Sequence, residues 1–232
     1  MALALLMVAA LAACGGSNKA QVTTPAQQLA AAKAKADAAT SMHLVLSSSG
    51  IPASANGVLA VDGSGTHAPA FKGTLNARIS GFGAKVEVVA IGKLLYVKLP
   101  FTTEFVPVDP KEFNAPDPAR LFATEGGITS LMTATTNPVE GKKIRVGPDV
   151  LKTISGTLPG ESVVDLLNIG DATKSFRVTY GITDPGGELR TVTMTGPFYK
   201  GATSTPATST PATSTYMLTL DKYGAPVEIS KP

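Results

Sequence analysis

Apolar and polar residues alternate along several short stretches of the chain, which is the period of strands with one buried face. Met42, Leu44 and Leu46 occupy alternate positions in the first of them. The same period, or a short apolar run, predicts further strands at residues 58–61, 75–79, 85–91, 94–99, 142–146, 150–155, 176–182, 189–194, 216–220 and 227–229. The short links between most of these strands favour one antiparallel sheet in meander order.

Two of these links have the composition of tight turns. Gly92 and Lys93 separate two strands, and glycine at the first of the two central positions predicts a type II′ hairpin turn. Residues 184–187 (Asp-Pro-Gly-Gly) form the second predicted turn.

Helix signals are fewer than strand signals. An Ala-rich helix is predicted at residues 26–39, with Thr24 as its cap and Pro25 in its first turn. Shorter helices are predicted at residues 117–122, 127–134 and 161–167.

Two apolar faces from this pattern are candidates for the lining of a pocket. Four residues of the hairpin at 85–99 share one strand face by alternation: Val86, Val88, Leu95 and Val97. Three residues of the helix at 127–134 lie at i, i+3 and i+4 and form one stripe: Ile128, Leu131 and Met132. If the helix stands off the sheet, the gap is an apolar pocket suited to acyl chains. The alternative is a packed core, which periodicity alone favours.

Composition supports a folded domain. The chain has 232 residues, near the upper limit for one domain, and 44% of them are apolar while 16% are charged. Trp is absent, so the interior is expected to consist mainly of aliphatic side chains. The 20 basic and 17 acidic residues are interspersed, which argues against a nucleic-acid partner.

Catalytic motifs are not evident. The two histidines are His43, which the alternation predicts to face solvent, and His67, which lies in a predicted turn. Neither has another ligand at the spacing of a metal site. The sequence has no nucleophile elbow and no phosphate-binding loop. We therefore expect no enzymatic activity, no metal and no cofactor.

The amino end has the pattern of a lipoprotein signal peptide. Residues 2–13 are apolar and uncharged, yet too few for the roughly 20 residues that span a bilayer. They end in Leu-Ala-Ala before Cys14, which matches the lipobox whose cysteine is alkylated by diacylglycerol. Because no Lys or Arg precedes the apolar run, the natural amino end is expected upstream. The alternative is a buried helix with an incidental cysteine; Cys14 is the only one, so no disulfide can form.

We accordingly divide the chain into a signal peptide at 1–13, a lipidated tether at 14–24 and a lipid-binding domain at 25–232. Within that domain, residues 202–215 repeat the unit Ala-Thr-Ser-Thr-Pro, which cannot build a core. We expect an exposed loop there. It is either a tolerated repeat expansion or, in an organism able to add sugar, a site of O-glycosylation.

Four stretches resemble the LppX/LprAFG family of mycobacterial cell-envelope lipoproteins. They are residues 41–52, 117–132, 141–167 and 216–232, in the order of the family and together with the lipobox. The chain departs from the family pattern at Tyr223, where Trp is usual, and in the repeat at 202–215.

The resemblance implies an α+β fold, in which one strongly curved antiparallel sheet carries helices on its concave face and encloses an apolar cavity. This half-barrel is similar to the carriers LolA and LolB. The resemblance also implies transport of multiply acylated lipids, such as phosphatidylinositol mannosides, lipoarabinomannan precursors or phthiocerol dimycocerosates. Only Cys14 corresponds residue by residue to a functional position of the family.

The expected protein is therefore a monomeric lipid carrier, anchored through acylated Cys14 to the outer leaflet of the plasma membrane. Its expected partners are an acylated lipid or glycolipid and a membrane lipid exporter. Two other functions remain open: a structural or host-interaction lipoprotein, and an envelope hydrolase. The lack of a nucleophile and a base disfavours the hydrolase. The identity of the lipid and the direction of transport do not follow from the sequence.

Overall fold

The computed structural model describes residues 23–79, 81–109, 116–199 and 213–232. In these ranges twelve strands form one open antiparallel sheet. The strands are β1 (Ser41–Ser49), β2 (Gly57–Thr66), β3 (Ala70–Ile79), β4 (Phe82–Ile91), β5 (Leu94–Lys98), β6 (Val106–Val108), β7 (Thr136–Glu140), β8 (Ile144–Val146), β9 (Asp149–Pro159), β10 (Ser175–Thr183), β11 (Leu189–Gly196) and β12 (Ser214–Asp221). The helices are α1 (Pro25–Asp37), α2 (Ser130–Ala134) and α3 (Gly160–Leu167), with a 3₁₀ helix at Pro118–Phe122.

Two meanders are joined in the middle of this sheet. The strand order is β6-β5-β4-β3-β2-β1-β12-β11-β10-β9-β7, and β8 also pairs with β9. The junction is the pairing of β1 with β12, in which Leu44 lies opposite Leu220. We call β2–β6 the open half and β9–β12 the packed half. The predicted fold class, a single curved antiparallel sheet with helices, is confirmed.

Helix α1 begins as the sequence predicts. The Thr24 hydroxyl accepts a hydrogen bond from the Gln27 backbone N–H, and the Gln27 side chain accepts one from the Thr24 N–H. This reciprocal pair is a capping box, and Pro25 fits the first turn because its missing N–H is not needed there. Leu29, Ala32 and Ala36 form the buried face of the helix.

The helices cover one face of the sheet. Helix α1 packs on β7 and β11, α2 on β9, and α3 on β9 and β10. The 3₁₀ helix packs instead on β2, β3 and β4. Alternation along β1 agrees with this arrangement, because Met42, Leu44 and Leu46 are buried while Val45 is exposed.

Three local predictions need correction, and two strands were not predicted. Gly92 and Lys93 both have positive φ, 59° and 68°, which is a type I′ rather than a type II′ turn. Helix α2 begins at Ser130, later than predicted, and strands β6 and β7 were not predicted. Residues 227–229 form no strand, because the chain turns away from the sheet at Lys222 and Gly224, both at positive φ.

Candidate functional site: an apolar pocket in the open half

An apolar pocket of about 660 Å³ lies between the inner face of the open half and the 3₁₀ helix. That volume is within the roughly 300–1,000 Å³ of small-molecule sites. Aliphatic side chains make up most of the lining: Leu46, Val58, Val61, Leu75, Ala77, Ile79, Ala84, Val86, Val88, Leu95, Val97, Leu99, Val106, Val108, Leu121, Leu167 and Ile169. Such a surface can hold an apolar ligand but offers few partners for a polar one.

Two stacked phenylalanines pack beyond one end of the pocket, where β3 begins. The rings of Phe71 and Phe122 lie 5.8 Å apart between centroids, and both side chains are buried. Gly65 of β2 makes room for them, because a Cβ there would overlap the Phe122 ring. His67 lies in the same region. Its ring nitrogens lie 2.5 Å from the Phe122 carbonyl oxygen and 3.0 Å from the Ala36 carbonyl oxygen. His67 therefore connects this region to both α1 and the 3₁₀ helix.

The other end of the pocket is open. Ile79, Leu99 and Val106 belong to the lining and are also exposed to solvent. They lie where β3, β5 and β6 begin or end, so the mouth is at the strand ends opposite the Phe71–Phe122 pair. The lining thus runs from a buried end to a solvent-exposed apolar mouth.

Polar groups occupy one side of this mouth. Arg78 is the only charged residue among the described residues of the lining, and its guanidinium donates to the Pro52 carbonyl at 3.3 Å. The hydroxyls of Tyr199 and Tyr216 are 2.6 Å apart. Burial raises the pKa of both tyrosines above its ordinary value, so they are neutral hydrogen-bonding groups at neutral pH.

The structure separates the seven residues predicted from the sequence into two groups. The four hairpin residues line the pocket: Val86, Val88, Leu95 and Val97. They share one face because Val88 lies opposite Val97 in the β4–β5 pairing.

The three helix residues do not line the pocket, which corrects the prediction. Ile128, Leu131 and Met132 are buried in the hydrophobic core. The reason is the position of α2, whose main contacts are with α1, α3 and β9 rather than with the β4–β5 hairpin. The 3₁₀ helix faces the pocket in its place, through Pro118 and Leu121.

Some lining residues were missed although the sequence carried a signal for them. Val61 and Leu75 belong to predicted strands, and their alternation places them on the inner face. Leu121 lies in the predicted helix at 117–122, but its direction depends on tertiary packing. Tyr199 follows β11 and has no periodic neighbours, so no pattern indicated it.

Cys14 and the lipobox lie outside the described residues. Most of the repeat at 202–215 does as well, except for Thr213, Ser214 and Thr215. Ser214 and Thr215 belong to β12, and Ser214 is fully buried, with its hydroxyl donating to the Gly50 carbonyl at 2.9 Å. The predicted exposed loop therefore does not extend to 215.

His43 lies on the outer face of the sheet, as alternation predicts, between two carboxylates. Its Nδ1 is 2.7 Å from Asp221 and its Nε2 is 2.9 Å from Asp62. Across the described ranges, His, Cys, Asp and Glu form no group of three or more able to hold a metal ion. In those same ranges, no helix has the length and hydropathy needed to cross a bilayer.

Comparison with known proteins identifies relatives of this fold. The model of the LppX_LprAFG lipoprotein family matches residues 24–229. The structure is similar to LprF from Mycobacterium bovis, with a TM-score of 0.68 and 18% identity, over 90% of this chain and 96% of that one. It is also similar to the Mycobacterium tuberculosis lipoprotein LppX, with a TM-score of 0.63 and 19% identity, over 89% of this chain and 98% of that one. No curated protein matches the sequence significantly.

Proposed function

Because the chain belongs to the LppX_LprAFG lipoprotein family, we propose that it binds the acyl chains of a lipid or glycolipid in the pocket of the open half and carries that lipid across the cell envelope. The observation that carries this proposal is the lining: aliphatic side chains along its length, with polar groups confined to one side of the mouth. An amphiphile fits this arrangement with its chains inside and its head at the mouth.

The energetics favour such a ligand. Each methylene group transferred from water to the pocket contributes about 0.8 kcal/mol. Ten buried methylenes would thus contribute about 8 kcal/mol, which corresponds to micromolar affinity before the cost of association is subtracted, so longer or multiple acyl chains are favoured. The polar side of the mouth can then discriminate between head groups without supplying most of the affinity.

Native mass spectrometry of the purified chain tests lipid binding directly. We expect the wild type to retain lipid through purification and the variant Val88→Trp to lose it, because the indole would enter the pocket. Lipid transfer between donor and acceptor vesicles then tests carriage. A wild type that purifies without lipid and takes none from vesicles would favour a structural or host-interaction lipoprotein instead.

We further propose that Cys14 carries the lipid anchor, with a signal peptide at 1–13, a tether at 14–24 and the lipid-binding domain at 25–232. The anchored protein would face outward from the plasma membrane, receive lipid there and act as a monomer together with a lipid exporter. The support is the lipobox sequence and the family of lipoproteins to which the chain belongs. Replacing Cys14 with Ala should abolish incorporation of labelled fatty acid. Unchanged incorporation would refute the anchor.

A further inference from the structure

Apolar side chains that project into solvent flank one side of the mouth of the pocket. We call these the rim residues: Ile79, Phe82, Leu99, Phe101 and Val106. The two phenylalanines stand out, because Phe82 is 80% exposed and Phe101 is 108% exposed. Exposed aliphatic residues are common on soluble proteins, whereas a group of large apolar residues around one opening indicates an interaction surface.

The rim residues come from two neighbouring turns at the same end of strands β3 to β6. Ile79 and Phe82 face each other as the last pair of β3 and β4. Leu99, Phe101 and Val106 lie at the end of β5, in the link to β6 and at the start of β6. Since β4 pairs with β5, both turns flank the same mouth.

The rim is continuous with the pocket. Ile79, Leu99 and Val106 contribute both to the pocket lining and to the exposed surface. An apolar chain leaving the pocket would therefore pass from buried to exposed apolar side chains without crossing a polar barrier on this side.

Phe101 has a strained backbone conformation. Its φ is 68°, in the left-handed region that a bulky residue rarely adopts. Neither this conformation nor the exposure of its ring is stabilising in water. Both fit a residue whose favourable contacts are made with a partner.

Charge at the mouth points to the kind of partner. Arg78 precedes Ile79 and, of the lining residues that the structure describes, it alone is charged. Its guanidinium forms no ion pair with a carboxylate of the described ranges, and it donates a hydrogen bond to the Pro52 carbonyl. A guanidinium without a carboxylate partner among the described residues, beside a group of apolar side chains, matches the interface of an anionic bilayer, where lipid phosphates lie just above the hydrocarbon.

We propose that the rim residues dock on the surface of an anionic lipid bilayer and insert Phe82 and Phe101 into it, so that a lipid enters or leaves the pocket without exposing its chains to water. This inference rests on the proposed lipid-carrying function and adds to it the surface through which the lipid is exchanged. The docking residues are distinct from the buried part of the lining, so the two proposals can fail separately.

Site-specific fluorescence tests the docking. The full chain with Cys14→Ala receives a single new cysteine at Gly83, next to Phe82, where a side chain would meet open space. An environment-sensitive label there should shift to shorter wavelength with vesicles containing phosphatidylglycerol, and lipid-borne quenchers should quench it. The matched control is Leu94→Cys in the same background, because Leu94 is 51% exposed at the opposite end of the β4–β5 hairpin. Its label should not respond.

A second measurement uses a variant that lacks the two phenylalanines of the rim. The labelled protein with Phe82→Gln and Phe101→Gln should bind these vesicles at least about tenfold more weakly, given the apolar area that two phenyl rings bury. The control pair Leu94→Gln and Met217→Gln removes two exposed apolar residues elsewhere and should leave vesicle binding unchanged.

Three results would overturn the docking proposal: a silent label at position 83, unchanged vesicle affinity in the double variant, or a spectral shift that grows with protein concentration in the absence of vesicles. The last would assign the rim to a second copy of the chain. Lipid retained by the wild type, measured in parallel by native mass spectrometry, reports on the carrier function alone.

Discussion

The packed half and the open half of this sheet have similar strand patterns but different surroundings. In the packed half, Phe176, Val178 and Tyr180 alternate along β10 and are almost completely buried. In the open half, Leu75, Val86 and Val97 point to the same inner face but are only partly buried. Alternation therefore tells which face of a strand is apolar, whereas the elements above that face decide whether it becomes a core or a pocket.

The difference has two structural causes. All three α-helices make contacts with strands of the packed half, whereas, of the helices in the described ranges, the 3₁₀ helix is the one that packs on β2, β3 and β4. Aromatic side chains also fill the packed half: Phe198 lies 4.7 Å from both Phe176 and Tyr216 between ring centroids. Around the pocket, the open half presents mainly Val, Ala and Leu, and these shorter side chains leave space unfilled.

The largest expected difference in stability is between alanine substitutions of two phenylalanines, one in each half. Phe176→Ala in the packed half should lower the free energy of unfolding by about 3–5 kcal/mol, because it leaves a cavity that the core cannot fill. Phe82→Ala in the open half should change it by less than about 0.5 kcal/mol, since the ring is exposed. Chemical denaturation measures both. Equal losses would mean that the two halves are packed alike.

The next comparison introduces a larger side chain instead of a smaller one. Leu131→Trp should destabilise the protein by about 1–3 kcal/mol, because Leu131 lies in a packed core. Val88 is buried as well, but it also lines the pocket of about 660 Å³. Val88→Trp should therefore lower the free energy of unfolding of lipid-free protein less than Leu131→Trp, because the indole can extend into that pocket. Denaturation and lipid content should be measured on the same samples. If Val88→Trp unfolds as readily as Leu131→Trp, the pocket has no room for a ligand at that depth.

A smaller effect is expected at the boundary between the halves, where Tyr216 belongs to both the core and the pocket lining. Tyr216→Phe removes its hydrogen bond with Tyr199 and should cost about 0.5–1.5 kcal/mol at neutral pH. Tyr199→Phe removes the same bond and should cost a similar amount. A much smaller loss in both variants would show that the hydroxyl pair does not stabilise the boundary.

The contribution of Tyr216 to the free energy of unfolding also has a predictable pH dependence. Burial raises the pKa of Tyr216, so the folded state keeps a proton that the unfolded state loses near pH 10. The stability from this neutral hydroxyl is therefore complete below about pH 10 and is lost as pH rises beyond it. Between pH 8 and pH 11, the wild type should lose more stability than Tyr216→Phe, as measured by denaturation at each pH.

These comparisons show which features local patterns could predict. The sheet, helix α1 and the shared face of Val88 and Val97 follow from periodicity and capping, which depend on neighbours in sequence. The position of α2 does not, because its apolar stripe through Leu131 could pack equally well on either half. The short strand β6, with a proline at its centre, also has too little pattern to be recognised.

The smallest effect is expected at the repeat, which separates β11 from β12. Gly196 and Ser214 are direct partners across these strands, so a short turn can connect them. Deleting residues 202–212 should change the free energy of unfolding by less than about 1 kcal/mol, and towards greater stability, because each halving of the length of a connection lowers its closure cost by about 0.6 kcal/mol. The matched deletion of 202–215 also removes Ser214 and Thr215 from β12 and should cost several times more, since Ser214 is fully buried and bonded to the Gly50 carbonyl. Denaturation of the two deletion variants side by side locates the start of the strand. Equal stability would place Ser214 in the loop rather than in the sheet.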